Sequence, residues 1–329
     1  MTSFRTELNI KADPKLLNAT SRIVTLGSCF AEVMGRKMAH YKLPALVNPF
    51  GTIFNPVSLF KLLQQALNPD EEFTGELVAR DGFWYAYDLH SSFTASTQAA
   101  LRQNIQQLFR QTRDFLAQAD VLVLTFGTAV AYVHRESKLV VSNCHKIPQH
   151  HFQKHLLTMP EMLIAFQKLH AALQQLNPQV RILLTVSPVR HLKETLELNS
   201  VSKSILRVLC HEIVQATPGA SYFPAYETML DDLRDYRFYK ADMLHPSAVA
   251  EDYIWQKFIQ AYFDQEFRNF IPEWDQIQQA LQHRPFQPES AAHQNFLRKT
   301  LRRLEQFSSG FDISAEIEQI KSQLQEGKS

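Results

Sequence analysis

The chain offers almost nothing for a covalent framework. Its three cysteines, at positions 29, 144 and 210, are odd in number and scattered, which excludes a disulfide scaffold and agrees with a reducing compartment. Long apolar runs are missing too. No stretch is long enough to span a bilayer, and the opening residues Met1-Thr2-Ser3-Phe4-Arg5-Thr6-Glu7 contain no apolar h-region. These absences predict a cytoplasmic protein with no membrane partner. Charge of one sign is not in excess either: 34 Lys and Arg stand against 33 Asp and Glu, a formal net charge of +1. No basic run, and no alternation of basic with aromatic residues, occurs before roughly the last forty residues, so no nucleic-acid partner is expected. Internal repeats are absent. What remains is a chain of 329 residues, 45% hydrophobic and 20% charged, long enough to bury one large core and carry a small appendage.

Short, continuously apolar runs predict buried parallel strands at Arg22 to Leu26, Leu46 to Pro49, Val121 to Phe126, Arg181 to Val186 and Ala220 to Phe223. Helical patterns separate them, at Ala31 to Tyr41, Pro56 to Leu67, Thr97 to Ala117, Pro160 to Leu176 and Asn199 to Gln215. Such βα alternation predicts an α/β fold with a doubly wound parallel sheet over residues 1–270. Between about 73 and 93, Arg80-Asp81-Gly82-Phe83-Trp84-Tyr85 reads as a hairpin with an Asp-Gly turn. That insertion is either a lid whose aromatics wall a cleft for a sugar or an acyl chain, or plain packing. Residues 271–329 form a helical C-terminal extension. Phe296, Leu297, Leu301 and Leu304 make one stripe, and after Ser308-Ser309-Gly310 a second is made by Ile313, Ile317, Ile320 and Leu324. The pair is expected to dock on the domain or on another copy of the chain, giving a homo-oligomer.

Chemistry concentrates where an apolar strand meets a helix, in Ile23-Val24-Thr25-Leu26-Gly27-Ser28-Cys29-Phe30-Ala31. Gly27 accepts the backbone angles of a tight turn. Ser28 and Cys29 are then two candidate nucleophiles at a helix N-terminus, where the amides favour a thiolate and predict a depressed thiol pKa. The plainer reading makes Ser28 a helix cap and Cys29 a small buried residue. Far downstream, Asp242-Met243-Leu244-His245-Pro246-Ser247 places an aspartate three residues before a histidine, a base with the carboxylate to orient it, and Pro246 suits the first turn of the helix that follows. Arg190 and His191 follow the fourth strand. Arg190 either binds a ligand oxyanion or anchors an acidic residue such as Asp242. His145 and Lys146 either line the cleft or, for His145, serve as a hydrogen-bonded loop residue. Cys144, His150, His151 and His155 match no recognised ligand spacing, so no metal is expected.

Gly27 to Ala31 spell the motif after which the GSCFA-domain family is named. The chain resembles that family again at Asn48-Pro49-Phe50-Gly51-Thr52, Asn143-Cys144-His145-Lys146 and Ser187-Pro188-Val189-Arg190-His191, over most of residues 1 to about 265. That family in turn resembles the SGNH, or GDSL-like, hydrolases, which implies a flavodoxin-like fold and an esterase or acyltransferase with a nucleophile, His and Asp site. Against the superfamily's Gly-Asp-Ser-Leu block, Gly27 matches the glycine and Cys29 falls at the nucleophile, with Ser28 at the aspartate. Gly51 is the match for the second block's oxyanion glycine. Gly127-Thr128-Ala129-Val130 replaces Gly-x-Asn-Asp, so the oxyanion asparagine is missing and its task passes to Thr128, to Asn143, or to no residue. Asp242 and His245 match the last block in full, and Lys203 belongs to the same family pattern. The resemblance implies a small-molecule or glycan acyl substrate and no tightly held cofactor, although a thiol nucleophile suits an acyl-coenzyme A type donor. Two other readings stay open: a non-catalytic ligand-binding protein that keeps the fold and cleft, and an interaction scaffold built on the C-terminal helices.

Overall fold

Five of the apolar runs become neighbours in one parallel sheet in the computed structural model, which describes residues 6–13, 15–68, 71–193, 195–282, 286–287, 289–307 and 310–326. The chain runs β1 (Ile23–Gly27), α1 (Cys29–His40), β2 (Ala45–Val47) and α2 (Pro56–Leu67), then the meander β3 (Leu77–Arg80), β4 (Phe83–Ala86) and β5 (Thr94–Ala95). It continues through α3 (Gln98–Leu116), β6 (Val121–Phe126), β7 (Val130–His134), β8 (Val140–Val141), β9 (Phe152–Leu156), α4 (Met159–Leu176), β10 (Arg181–Val186), α5 (Leu196–Ala216) and β11 (Ala220–Tyr222). A short turn α6 (Ala225–Glu227) leads to α7 (Ala248–Tyr262), α8 (Gln265–Gln282), α9 (Ala291–Phe307) and α10 (Ser314–Glu326).

The central sheet has the order β11-β10-β6-β1-β2, with every pairing parallel. Counted along the chain this is 2-1-3-4-5, the doubly wound order in which the chain reverses direction between its first and third strands. Register then decides what meets at that switch point. Gly27 pairs with Thr125 and Val186 with Phe126, so the residues that follow, Ser28, Gly127 and Ser187, leave the sheet side by side at its C-terminal edge. Below them Phe60 of α2 sets its ring edge against Phe126 at 5.6 Å and against Phe166 at 5.7 Å. Each such buried phenyl stabilises the fold by about 1.5–3 kcal/mol.

The expected hairpin is present. Asp81 (φ +51°) and Gly82 (φ +80°) make the left-handed two-residue turn that pairs Arg80 with Phe83. The strand β9 is an addition that its sequence, Phe-Gln-Lys-His-Leu, conceals: it is mostly exposed and exists because it pairs antiparallel with β7 along all five residues. Helix α1 begins at Cys29, two residues earlier than the apolar pattern indicates, and α5 begins at Leu196, where the Thr195 side chain caps it by accepting the Leu198 N–H.

Two compact units divide the chain. One comprises Met1–Ile10, Arg22–Arg36 and Ala45–Gln256, the other Lys11–Ser21, Lys37–Pro44 and Lys257–Ser329. Within the second, α8 buries Phe267, Phe270, Trp274 and Ile277 on one stripe, Trp274 Nε1 donates to His40 O at 2.7 Å, and α9 packs against α8 and α10. Leu297, Leu304, Ile313 and Ile320 are buried, while Phe296 is exposed; Ser308 and Ser309 lie outside the described residues. Among the described residues no helix is long and apolar enough to cross a membrane.

Candidate functional site

Gly27 closes β1 at φ +133°, and a Cβ there would sit 2.0 Å from Thr125 O. Its amide donates to Asn48 Oδ1 at 2.9 Å, and its carbonyl accepts the Ile53 N–H at 2.9 Å. Only glycine fits such a corner. Gly27→Ala is therefore expected to cost about 3 kcal/mol or more, or to prevent folding, as measured by urea denaturation; a change below about 1 kcal/mol would show that the turn relaxes freely.

Ser28 is 2% exposed. Its hydroxyl accepts the Phe30 N–H at 3.3 Å and its carbonyl the Ala31 N–H at 2.9 Å, the pattern of a residue that caps α1. Cys29 is the first helical residue, half-buried, and lines a cavity of about 720 Å³. The helix terminus does act on the thiol, since the amides of Cys29 and Phe30, together with Lys203, favour the thiolate. Burial outweighs all three, and the thiol pKa is raised rather than depressed. Cys29 thus rests as a neutral thiol that needs a base.

Lys203 reaches the underside of this corner from α5. It is 1% exposed, and its ammonium donates to Gly127 O and to Ser187 O, both at 2.7 Å. One side chain thereby ties together the loops leaving β6 and β10. Burial lowers its pKa to about 7, with Cys29 acting in the opposite direction.

His245 is held by its own loop. Asp242 Oδ1 accepts the amides of Leu244 (2.8 Å) and His245 (3.0 Å), and Oδ2 meets His245 Nδ1 at 2.7 Å. Donation first from the His245 amide, then from Leu244 and the ring, brings the Asp242 pKa down to about 2. With Nδ1 engaged, Nε2 is the nitrogen left for chemistry. Met243 takes φ +58° to make the turn. Arg190 fastens it: its amide donates to Leu244 O at 3.1 Å, its guanidinium reaches Met243 O at 3.4 Å, and it lies 4.1 Å from the Tyr239 ring. The arginine anchors this loop through carbonyls, not through Asp242. Pro246 pairs with Tyr239 in an isolated bridge and precedes the helix instead of starting it; Ser247 caps α7, its hydroxyl accepting the Ala250 N–H.

Cys29, Ser28, Thr128, Asn143, His145, Lys146, Arg190, His191 and His245 all line the one cavity. Among the described residues no hydrogen bond joins His245 to Cys29 or Ser28. Thr128 Oγ1 accepts the Val130 N–H at 2.9 Å and lies 3.1 Å from Ser202 Oγ, which accepts the Ala129 N–H at 2.7 Å. Ser202 is fully buried and Thr128 lines the cavity, so the arrangement that strands no buried proton has Ser202 donating to Thr128, which leaves the Thr128 hydroxyl proton for the cavity side. Asn143 is committed to Ser91 Oγ and to the His145 amide. His145 is buried between Ala86 O (2.8 Å) and Ser91 Oγ (3.2 Å), and burial lowers its pKa, so it is a satisfied loop residue that also contributes wall.

Of the predicted site residues, Asp242 stands behind His245 and does not line the cavity, and neither does Gly51. Its amide donates to Asn48 O at 2.7 Å, and its φ of +73° places its Cα against His90, where a Cβ would approach His90 Cβ to 2.3 Å. Its N–H is therefore spent inside its own turn. Asn55 takes the neighbouring position instead. It is 5% exposed, caps α2 by accepting the Ser58 N–H, gives one Nδ2 proton to Ser58 Oγ at 3.0 Å, and lines the cavity. The signal was legible as Asn55-Pro56, an N-cap before a proline at the first helical position. The hairpin β3–β4 does not line the cavity. Tyr87, just after it, packs against Phe152 at 5.6 Å and supports the wall from behind. Among the described residues no group of three or more His, Cys, Asp or Glu could hold a metal ion, and His155 is paired with Glu161 at 2.9 Å.

A family model described as the GSCFA family matches residues 22–258, and one described as the GSCFA domain protein, C-terminal domain, matches residues 274–326. No curated protein matches the chain. A solved structure from Streptococcus pneumonia, provisionally assigned there as a platelet activating factor, is similar at 12% identity over 73% of this chain and 83% of that one, with a TM-score of 0.38.

Proposed function

The chain belongs to the GSCFA family, and from that premise we propose that it is an acyl-transferring enzyme of the SGNH-like kind, an acyl-ester hydrolase or acyltransferase working through a thioester on Cys29. The observation that carries this reading is the meeting of Cys29, Thr128 and an Asp242-oriented His245 in one cavity at the sheet's switch point. In the reaction His245 Nε2 accepts the thiol proton as Sγ attacks the substrate carbonyl carbon. The carbonyl oxygen becomes an oxyanion that takes hydrogen bonds from the Cys29 amide, the Thr128 hydroxyl and the second Nδ2 proton of Asn55. Collapse breaks the bond to the leaving alcohol or thiol, which departs with the proton from His245. Water or an acceptor alcohol then attacks the thioester, giving its proton to His245, and the thiol is regenerated. A donor thioester of the coenzyme A type exchanges with Cys29 by the same steps.

Incubation with p-nitrophenyl acetate or acetyl-coenzyme A, followed by mass spectrometry, tests the proposal. It expects acetyl on Cys29; labelling no faster than at Cys144 would support a binding protein that keeps only the cleft. Asn55→Ser is expected to preserve the melting temperature, because serine also caps, while slowing acylation about 100-fold through the lost donor. Unchanged acylation in that variant would reduce Asn55 to a cap.

A further inference from the structure

Among the described residues lining the cavity there is no Asp or Glu, whereas Lys146, Arg190 and Lys193 line it, with three histidines. The chain as a whole is almost balanced, 34 basic against 33 acidic side chains, so this is a local separation of charge. Depth separates the groups further. Ser28, Gly127 and Ser187 are buried, while Lys146 and Lys193 are exposed, which puts the reacting corner on the floor and fixed cations at the rim. Tyr132, Val141, Ile147 and Phe152 give the same cavity apolar wall. The Lys193 ammonium lies 4.8 Å from the Tyr132 ring centre, so rim charge and apolar wall are contiguous. A cleft with one sign of charge and apolar walls concentrates ligands of the opposite sign.

We infer that the acyl substrate is an anion, with its carbonyl at Cys29, an apolar stretch along β7 and β8, and a phosphate or carboxylate group among Lys146, Arg190 and Lys193. This rests on the acyl-transfer reading and names its substrate class. Both oxyanions suit the same cations, the lysines as point charges and Arg190 through the guanidinium N–H groups not spent on Met243 O and Tyr239.

The test compares matched donors by the rate at which Cys29 is acylated. Octanoyl-coenzyme A against S-octanoyl-N-acetylcysteamine isolates phosphate; the mono-p-nitrophenyl ester of suberic acid against p-nitrophenyl octanoate isolates carboxylate. The anionic member of at least one pair is expected to react about tenfold faster or more at low salt, and that pair identifies the group. The advantage should shrink in about 0.5 M NaCl and fall toward unity in Lys146→Ala/Lys193→Ala, with melting curves confirming that the variant is folded. Equal rates within both pairs overturn the inference while leaving the acyl-transfer reading intact. Should no donor acylate Cys29, the acyl-transfer reading fails and calorimetry with coenzyme A and suberate decides the rest: salt-sensitive binding lost in the double variant sustains an anion site, and its absence removes it.

Discussion

Cys29→Ala is expected to abolish covalent acylation and to lower turnover of any accepted ester by roughly 1000-fold or more, with the melting temperature nearly unchanged. The substitution removes only Sγ from the first residue of a helix, at a cavity wall, so little packing is lost with it. Ser28→Ala separates the two neighbours. Its hydroxyl accepts the Phe30 N–H at 3.3 Å on a side chain that is 2% exposed; losing that cap costs about 1 kcal/mol and should leave most activity. Activity and melts would be recorded on both variants with the donor that labels the wild type. Full activity in Cys29→Ala beside none in a folded Ser28→Ala would move the nucleophile one residue back.

The resting state of the thiol shapes what such assays see. Burial holds Cys29 above its ordinary pKa, so simple alkylation by iodoacetamide is expected to rise only at alkaline pH, with its half-maximum above about 8.5. A site of this kind relies on His245 to take the proton during attack rather than on a standing thiolate. A half-maximum near neutrality would contradict the burial argument and indicate a preformed ion pair.

What was legible in the sequence follows from how local each interaction is. Val121–Phe126 and Arg181–Val186 were bounded correctly because strands covered on both faces read as unbroken apolar runs. Asp242 and His245 were legible as a pair because three residues of chain bring them together. Gly51 was not, because whether an amide is free depends on which carbonyl captures it, and Asn48 O captures this one. The helix terminus behind Cys29 could be read from Gly27-Ser28, but the burial that reverses its effect is a property of the assembled cavity. Likewise Phe152–Leu156 becomes a strand only because β7 offers it an edge.

Lys203 is the residue whose pattern was visible and whose use was not, and its replacement by methionine should produce the second large effect. The ammonium that holds Gly127 O and Ser187 O also favours the Cys29 thiolate. Because the ammonium is present below about pH 7 and largely gone where the thiol titrates, the alkylation profile of Cys29 in Lys203→Met is expected to move to higher pH by only a small amount. Stability carries an independent signature. Burial lowers the lysine pKa to about 7 in the folded chain, against about 10.4 when unfolded. Below pH 7 both states hold the proton and the cost of burying it is constant. Between pH 7 and about 10.4 the unfolded chain keeps a proton that the folded chain has lost, so this lysine makes stability rise with pH. Urea melts at several pH values should therefore show wild type gaining on Lys203→Met as pH increases above 7 and running parallel to it below. A variant that loses stability equally at every pH, with the Cys29 profile unmoved, would make Lys203 only a tie between two loops and leave the thiol to His245 alone.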